Sequence, residues 1–317
     1  MTTGPRQAEA PVSPSYDPLV QGDGQLDDLA TLPSGWGGEL AQQYDLASIS
    51  ARPGLRQYLR QVWARRHFLV AFANARMTST YSRTRLGQIW QLITPLLNAG
   101  VYLLLFGVLL NTSRGVDNFV AFLVIGVFIF NFTQRSVRHG ADSVSRNLGL
   151  IRALHFPRAT LPLAYTLTEL KQLFGAMVVM AGVVLATGEP ITLRWLLVPV
   201  VVALQSVFNA GVALIAARAV AQAPDLNKVL PFFLRTWLYM SGVFYSIPVQ
   251  AGRFPDWVRV VLEVNPAAVY IDLVRTALLS EHDPLPYSWP LAAGWAVVAL
   301  VIGFLYFWRA EARYGRG

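Results

Sequence analysis

The sequence predicts an all-α integral membrane protein: six transmembrane helices, an N-terminal amphipathic interface helix and a re-entrant external helical hairpin. Three observations carry that prediction. Apolar residues make up 54% of the 317 and charged residues only 14%, with mean hydropathy +0.41, whereas a soluble domain carries about 25% charged residues. The charges cluster between uncharged windows at 86–113, 118–134, 195–217, 236–252 and 284–308, and a sixth apolar stretch, 159–188, is broken only by Glu169 and Lys171. The basic residues between the windows are divided very unevenly between the two sides.

Residues 1–50 stand apart. They hold seven acids and one base, Arg6, and are rich in Pro, Gly, Ser and Gln. No basic segment followed by an apolar one occurs there, so they do not read as a signal peptide. They read as an acidic, disordered cytoplasmic tail, with docking of a partner on Leu32–Leu46 as the alternative. At residue 51 the charge changes sign, and Arg52–Arg85 holds eight arginines and no acid. Leu55, Leu59, Val62, Leu69 and Ala73 recur at helical spacing among those arginines, and Pro53 suits a first turn. Residues 51–85 are too charged to cross a bilayer. An amphipathic helix on the inner leaflet fits them; a packed internal helix is the other reading.

Residues 86–317 form the six-span domain. A spanning helix needs roughly 17–25 residues, so the two shortest windows, 118–134 and 236–252, must extend into their charged flanks. The 52–85 helix, the 134–158 and 218–235 loops and the tail after 308 carry nineteen bases, against five on the loops near 114, 189–194 and 253–283. Short basic loops stay inside, which puts both termini in the cytoplasm and the chain in the plasma (inner) membrane. Within 253–283, Trp257, Val260, Val261 and Val264 make one apolar stripe, and Tyr270, Leu273, Val274, Ala277 and Leu278 make a second. Asn265-Pro266 separates them. A loop so apolar and too short to cross twice reads as a hairpin dipping beside a translocation route, or as a cap on the outer surface.

The absence of cysteine excludes disulfides, thiolate catalysis and cysteine-ligated metals. Four scattered histidines argue against any metal site. No G-x-S-x-G, H-E-x-x-H or paired-carboxylate pattern occurs, and neither Lys171 nor Lys228 follows a glycine as a phosphate-binding loop requires. No catalytic residue and no bound cofactor are therefore expected. The net charge of +8 reads as topology and anionic membrane lipid rather than nucleic acid. Glu169 and Lys171 are intramembrane charges and need partners in the bundle or an aqueous path. Trp90, Tyr102, Tyr239, Tyr245, Trp257 and Tyr270 are candidates for a glycan path or gate, because flat aromatic faces let sugar rings slide; interface belts or core packing are the plainer roles.

Three segments carry a family resemblance. The first runs from Tyr81-Ser-Arg-Thr-Arg-Leu-Gly-Gln-Ile-Trp90 to Pro95. The second is Asn147-Leu-Gly-Leu-Ile-Arg152, Phe156-Pro-Arg158 and Leu161-Pro-Leu163. The third is Pro231-Phe-Phe-Leu-Arg, Tyr239-Met-Ser-Gly-Val-Phe-Tyr245, Asn265-Pro266 and Arg275. Over about residues 52–317 the chain resembles the ABC-transporter permeases that export polysaccharide, O-antigen and teichoic acid. Its arginine bias and the ending from Arg309 resemble actinobacterial members whose cargo is a lipid-linked cell-wall galactan. Gly242 departs from that family, which often has proline there, and this touches the kink of the fifth span.

The resemblance implies a permease homodimer docked on two separate ATP-binding-cassette ATPase subunits, which bind ATP and Mg. It implies coupling residues Arg146, Asn147, Leu150, Ile151, Arg152, Phe156, Pro157 and Arg158, with Asp225 and Lys228 on the next internal loop. It further implies a basic intake for the substrate pyrophosphate, for which Arg56, Arg60, Arg83 and Arg85 are candidates. Export of a lipid or drug and a membrane-embedded glycan-modifying enzyme are the competing readings; the enzyme would need acidic metal-binding pairs that the sequence lacks.

Overall fold

The computed structural model describes residues 54–81, 89–105, 116–154, 156–250, 255–282, 284–285 and 287–311. The acidic tail, Arg83, Arg85 and the residues after 311 lie outside them. The described residues are helical, with no strand among them. In order they form α1 (Leu55–Ala64), α2 (Arg66–Tyr81), α3 (Ile89–Tyr102), α4 (Phe119–Ala141), α5 (Leu148–Ala153), α6 (Thr160–Ala186), α7 (Val198–Gln222), α8 (Leu226–Met240), α9 (Ile247–Gln250), α10 (Asp256–Val264), α11 (Pro266–Leu278) and α12 (Ser288–Arg309).

Four segments are long and apolar enough to cross a membrane: α4, α6, α7 with its 3-10 lead-in from Leu193, and α12. The central one is α4, with 78% of its apolar window buried against 28% for α6 and α12. The sequence explains its length. The Asn118 side chain accepts from the Ala121 N–H at 3.2 Å and starts the helix, and Arg138 and His139 complement the dipole of its last turn. As the hydropathy windows required, it runs past residue 134 into charged flank.

Small residues let the helices approach. A Cβ on Gly211 of α7 would lie 2.2 Å from the Ala299 carbonyl carbon of α12, and one on Gly303 would lie 2.2 Å from the Gly211 oxygen. Gly140 of α4 meets Ala213 of α7 in the same way. With lipid outside, packing rather than hydrophobic transfer drives such association, and glycine and alanine permit it.

The 236–252 window folds differently from a single span. Helix α8 begins at Leu226 and stops at Met240; a turn follows, and α9 starts at Ile247. Gly242 holds φ +62, a left-handed conformation that suits glycine. The residue that departs from the family pattern is therefore where the helix breaks. Of the first window, α3 and the turn of helix after it are described, to Leu105.

The two stripes of the 253–283 loop are α10 and α11, separated at Asn265-Pro266 as the sequence predicts. Pro266 opens α11, and Asn265 caps it by accepting from the Ala267 N–H at 3.1 Å. The helices differ in placement: α11 is buried almost throughout, whereas Trp257, Val260, Val261 and Val264 of α10 are exposed.

Candidate functional site

The basic end of the bundle gathers the α4–α6 connection and parts of α1, α7 and α12 around a second, smaller apolar core. Tyr58 of α1, Val144, Ile151 of α5, Ala159, Leu161, Leu214, Ala217 and Phe307 are buried there together. One glutamate ties three elements over this core. Glu311, just past α12, accepts at Oε2 from the Tyr58 hydroxyl at 2.7 Å and at Oε1 from the Arg158 backbone N–H at 2.9 Å. The Arg158 guanidinium donates to the Glu311 carbonyl. The Tyr58 hydroxyl in turn accepts from the Ala159 N–H at 3.1 Å. Burial pushes the Glu311 carboxyl up, and the donors from Arg158 and Tyr58 offset part of that rise.

The loop from α4 to α6 is organised by Asp142, which is buried. It pairs with Arg146 at 2.7 Å and accepts from Asn227 at the start of α8, so the two basic connections are joined. Asn147 donates to the Ser143 carbonyl at 2.7 Å and to the Tyr165 hydroxyl at 2.9 Å. The Arg76 guanidinium lies 3.8 Å over the Tyr165 ring. Phe156 packs on Phe68 of α2, ring centroids 5.3 Å apart, and Pro157 is buried beneath.

Of the apolar residues that the sequence nominates for docking, Ile151 is buried and Leu150 and Phe156 are half-buried against it. The exposed apolar side chains of this loop are Leu148 and Leu154, with Arg146 and Arg152 beside them on the surface. They were legible as hydrophobics but not as the outward face, because α5 spans fewer than two turns and its phase depends on the core beneath. Asp225 and Lys228 are both exposed and pair at 3.0 Å. Arg56 and Arg60 are exposed on α1, as are Leu59 and Trp63.

Both charges of the 159–188 stretch have partners. Glu169 Oε1 lies 2.6 Å from His139 Nδ1, and the Lys171 ammonium donates to Asn74 Oδ1 on α2. Among the aromatic candidates, Tyr102 and Tyr239 both pack on Phe244, with ring centroids 4.7 and 5.5 Å away. Tyr245 is half-buried, whereas Trp90 is exposed. Trp257 is 71% exposed, and Tyr270 is fully buried with its hydroxyl donating to the Ala292 carbonyl at 2.8 Å. These six side chains do not line one surface.

At the opposite end, Arg275 of α11 is buried under the break after α8. Its guanidinium donates to the Phe122 carbonyl at 3.0 and 3.2 Å, to Gly242 at 2.9 Å and to Val243 at 3.0 Å. Buried carbonyls freed where a helix stops must find donors within the protein, and Arg275 supplies them for two. No charge or hydropathy pattern in the sequence points to that role. Asp272 accepts from the Leu285 N–H and the Ser288 hydroxyl and lies 2.8 Å from His282 Nε2. The Glu189 carboxylate accepts from the Ser280 N–H, the Ser280 hydroxyl and the Asn118 amide.

Four apolar spans packed through glycines, with a basic end built around a short connecting helix, define a multi-pass membrane protein. Residues 69–279 match the family described as ABC-2 type transporter, and the chain belongs to that family of transporter permeases. It is 26% identical over 244 residues to the O-antigen export system permease protein RfbA of Myxococcus xanthus, covering 77% of this chain and 92% of that one. Against the O-antigen export system permease protein RfbA of Klebsiella pneumoniae it is 24% identical over 204 residues, covering 64% and 76%. Against the polysialic acid transport protein KpsM of Escherichia coli it is 24% identical over 237 residues, covering 73% and 89%.

Proposed function

We propose that this chain is the permease of an ATP-driven polysaccharide exporter, working as a homodimer with two copies of a separate ATPase subunit, and that its cargo is a lipid-linked glycan of the cell-wall galactan type. The Glu311 node is the observation that carries the mechanical part of this reading. Force applied to the α4–α6 loop reaches the last span through Arg158–Glu311 and the interface helix through Tyr58, without passing through flexible chain. The exposed Leu148 and Leu154, flanked by Arg146 and Arg152, form the surface offered to the ATPase. Six spans with both ends inside complete the reading, with α3 and the α8–α9 region as the first and fifth. The glycan assignment rests on the relatives, whose names specify O-antigen and polysialic acid; galactan rests on the arginine-rich sequence.

Three measurements test it. In proteoliposomes holding the permease and its co-purified ATPase, lipid-linked glycan should stimulate ATP hydrolysis; stimulation by a drug or phospholipid alone would favour the competing cargo. Leu154→Asp should abolish co-purification of the ATPase while leaving the permease in the membrane, and retained co-purification would remove the docking surface. For orientation, single cysteines at the exposed Thr192 and Glu281 should label from outside intact cells, and those at Ser145 and Ala223 should not. The reverse pattern would invert the topology.

A further inference from the structure

Glu169 is 3% exposed and lies nine residues into α6 from its basic end, about 13 Å deep at 1.5 Å per residue. Its Oε1 is engaged by His139, but its Oε2 is buried with no protein partner among the described residues. In either protonation state that oxygen needs one, since an orphaned buried polar atom costs roughly 1–3 kcal/mol. Glu169 also lines a half-open pocket of about 20 Å³ between α4 and α6, whose other polar walls are Asn131, Arg135 and Gln172 and whose apolar walls include Phe132 and Leu173. Arg135 is the second unmatched group: it stands within span α4, partly buried, with no ion pair or hydrogen bond among the described residues.

We infer that this pocket is the binding site of one ordered water, which bridges Glu169 Oε2 to Arg135 and completes a polar joint His139–Glu169–water–Arg135 between α4 and α6. The size fits, since one water requires at least about 10–15 Å³ of such space and two to four polar partners. The four polar walls supply those partners as a carboxylate acceptor, a guanidinium donor and two carboxamides that can do either. A sugar ring does not fit the volume, and a free anion would meet the carboxylate. The joint gives Arg135 a partner across the α4–α6 seam and leaves each Glu169 oxygen engaged, one by His139 and one by the water. A water link also tolerates small shifts between the two spans that would break a direct ion pair.

X-ray hydroxyl-radical footprinting of the unmodified protein in nanodiscs tests the site, because an ordered water is activated in place and oxidises the side chains it touches. Phe132 and Leu173 are as shielded from bulk solvent as core residues, at 3% and 4% exposure. They should nevertheless be oxidised severalfold faster than the fully buried Phe130, and rates equal to that of Phe130 would overturn the proposal. The second measurement is a thermal-melting cycle of Glu169→Gln, Arg135→Gln and the double variant. A bridged pair predicts that the double variant loses less than the sum of the single losses; strict additivity would show that Arg135 is not joined to Glu169.

Discussion

The two ends of the bundle are each held by one glutamate that accepts from distant backbone and side-chain donors, yet the two are shifted in opposite directions. Glu311 at the basic end lies in a packed apolar core, and burial outweighs its donors, so its carboxyl is pushed up. Glu189 at the opposite end is also raised by burial, but the Ser280 N–H, the Asn118 amide and the Ser280 hydroxyl together outweigh that, so its carboxyl is held below the usual range. The difference lies in solvation. At a half-open site three donors suffice to favour the charge; inside a core similar donors only limit its cost. The basic end is therefore a buried tie between three helical elements, and the opposite end a solvent-facing latch between loops, backed by the fully buried Arg275.

The sharpest way to break the far end is to remove Arg275. Arg275→Ala leaves the carbonyls of Phe122, Gly242 and Val243 without their donor and opens a void against α4. Lost charged hydrogen bonds and cavity together cost about 3–5 kcal/mol. The expected outcome is failure to recover folded protein in mild detergent, read by fluorescence-detected size exclusion. Arg275→Lys should rescue little, because one ammonium cannot serve three carbonyls in the guanidinium's geometry. A folded alanine variant with unchanged melting would show that the break after α8 is satisfied in another way.

Breaking the basic end should have a smaller effect on stability and a larger one on coupling. Glu311→Ala removes the acceptor of the Tyr58 O–H and of the Arg158 N–H, for about 1–3 kcal/mol, and leaves only the Arg158 guanidinium on the residue-311 carbonyl to hold α12 to the α4–α6 loop. Melting should fall by several degrees while the protein stays folded, and glycan moved per ATP hydrolysed should fall as well. A lower yield with an unchanged transport-to-hydrolysis ratio would make Glu311 a packing residue only. Tyr58→Phe, which keeps the ring against Phe304, should reproduce part of the loss.

The contrast also marks what the sequence made legible. Hydropathy and charge located α4, α6, α7 and α12, because a span is a property of consecutive residues. Asn265-Pro266 announced the break between α10 and α11 through local backbone chemistry. The ties were not legible. Tyr58 and Glu311 stand 253 residues apart, and Arg275 reads as one more external base until the carbonyls it serves are known. The 236–252 window was uncharged and apolar, so composition alone favoured one unbroken span. What stops α8 is the left-handed backbone at Gly242, to which a hydropathy window is blind. Leu148 and Leu154 escaped for a related reason, since which side of a six-residue helix faces out is decided by the core under it.

The opposite shifts predict opposite responses to pH. A carboxyl with a depressed folded-state pKa adds stability that is present above its unfolded pKa and is lost as pH falls through the folded one. Glu189 should therefore release the Ser280–Asn118 latch on acidification. Glu311, with its raised pKa, favours the folded state most at low pH, and that contribution fades as pH rises through its folded value. Hydrogen exchange at the Ser280 amide, followed from neutral pH into the acid range, should show protection falling in the wild type. In Glu189→Gln, which keeps an acceptor oxygen but cannot titrate, protection should start lower and stay flat. The effect should be the smallest of the three, because the site is largely solvated and salt screens it. If protection at Ser280 falls equally in both proteins, the acid response does not come from Glu189.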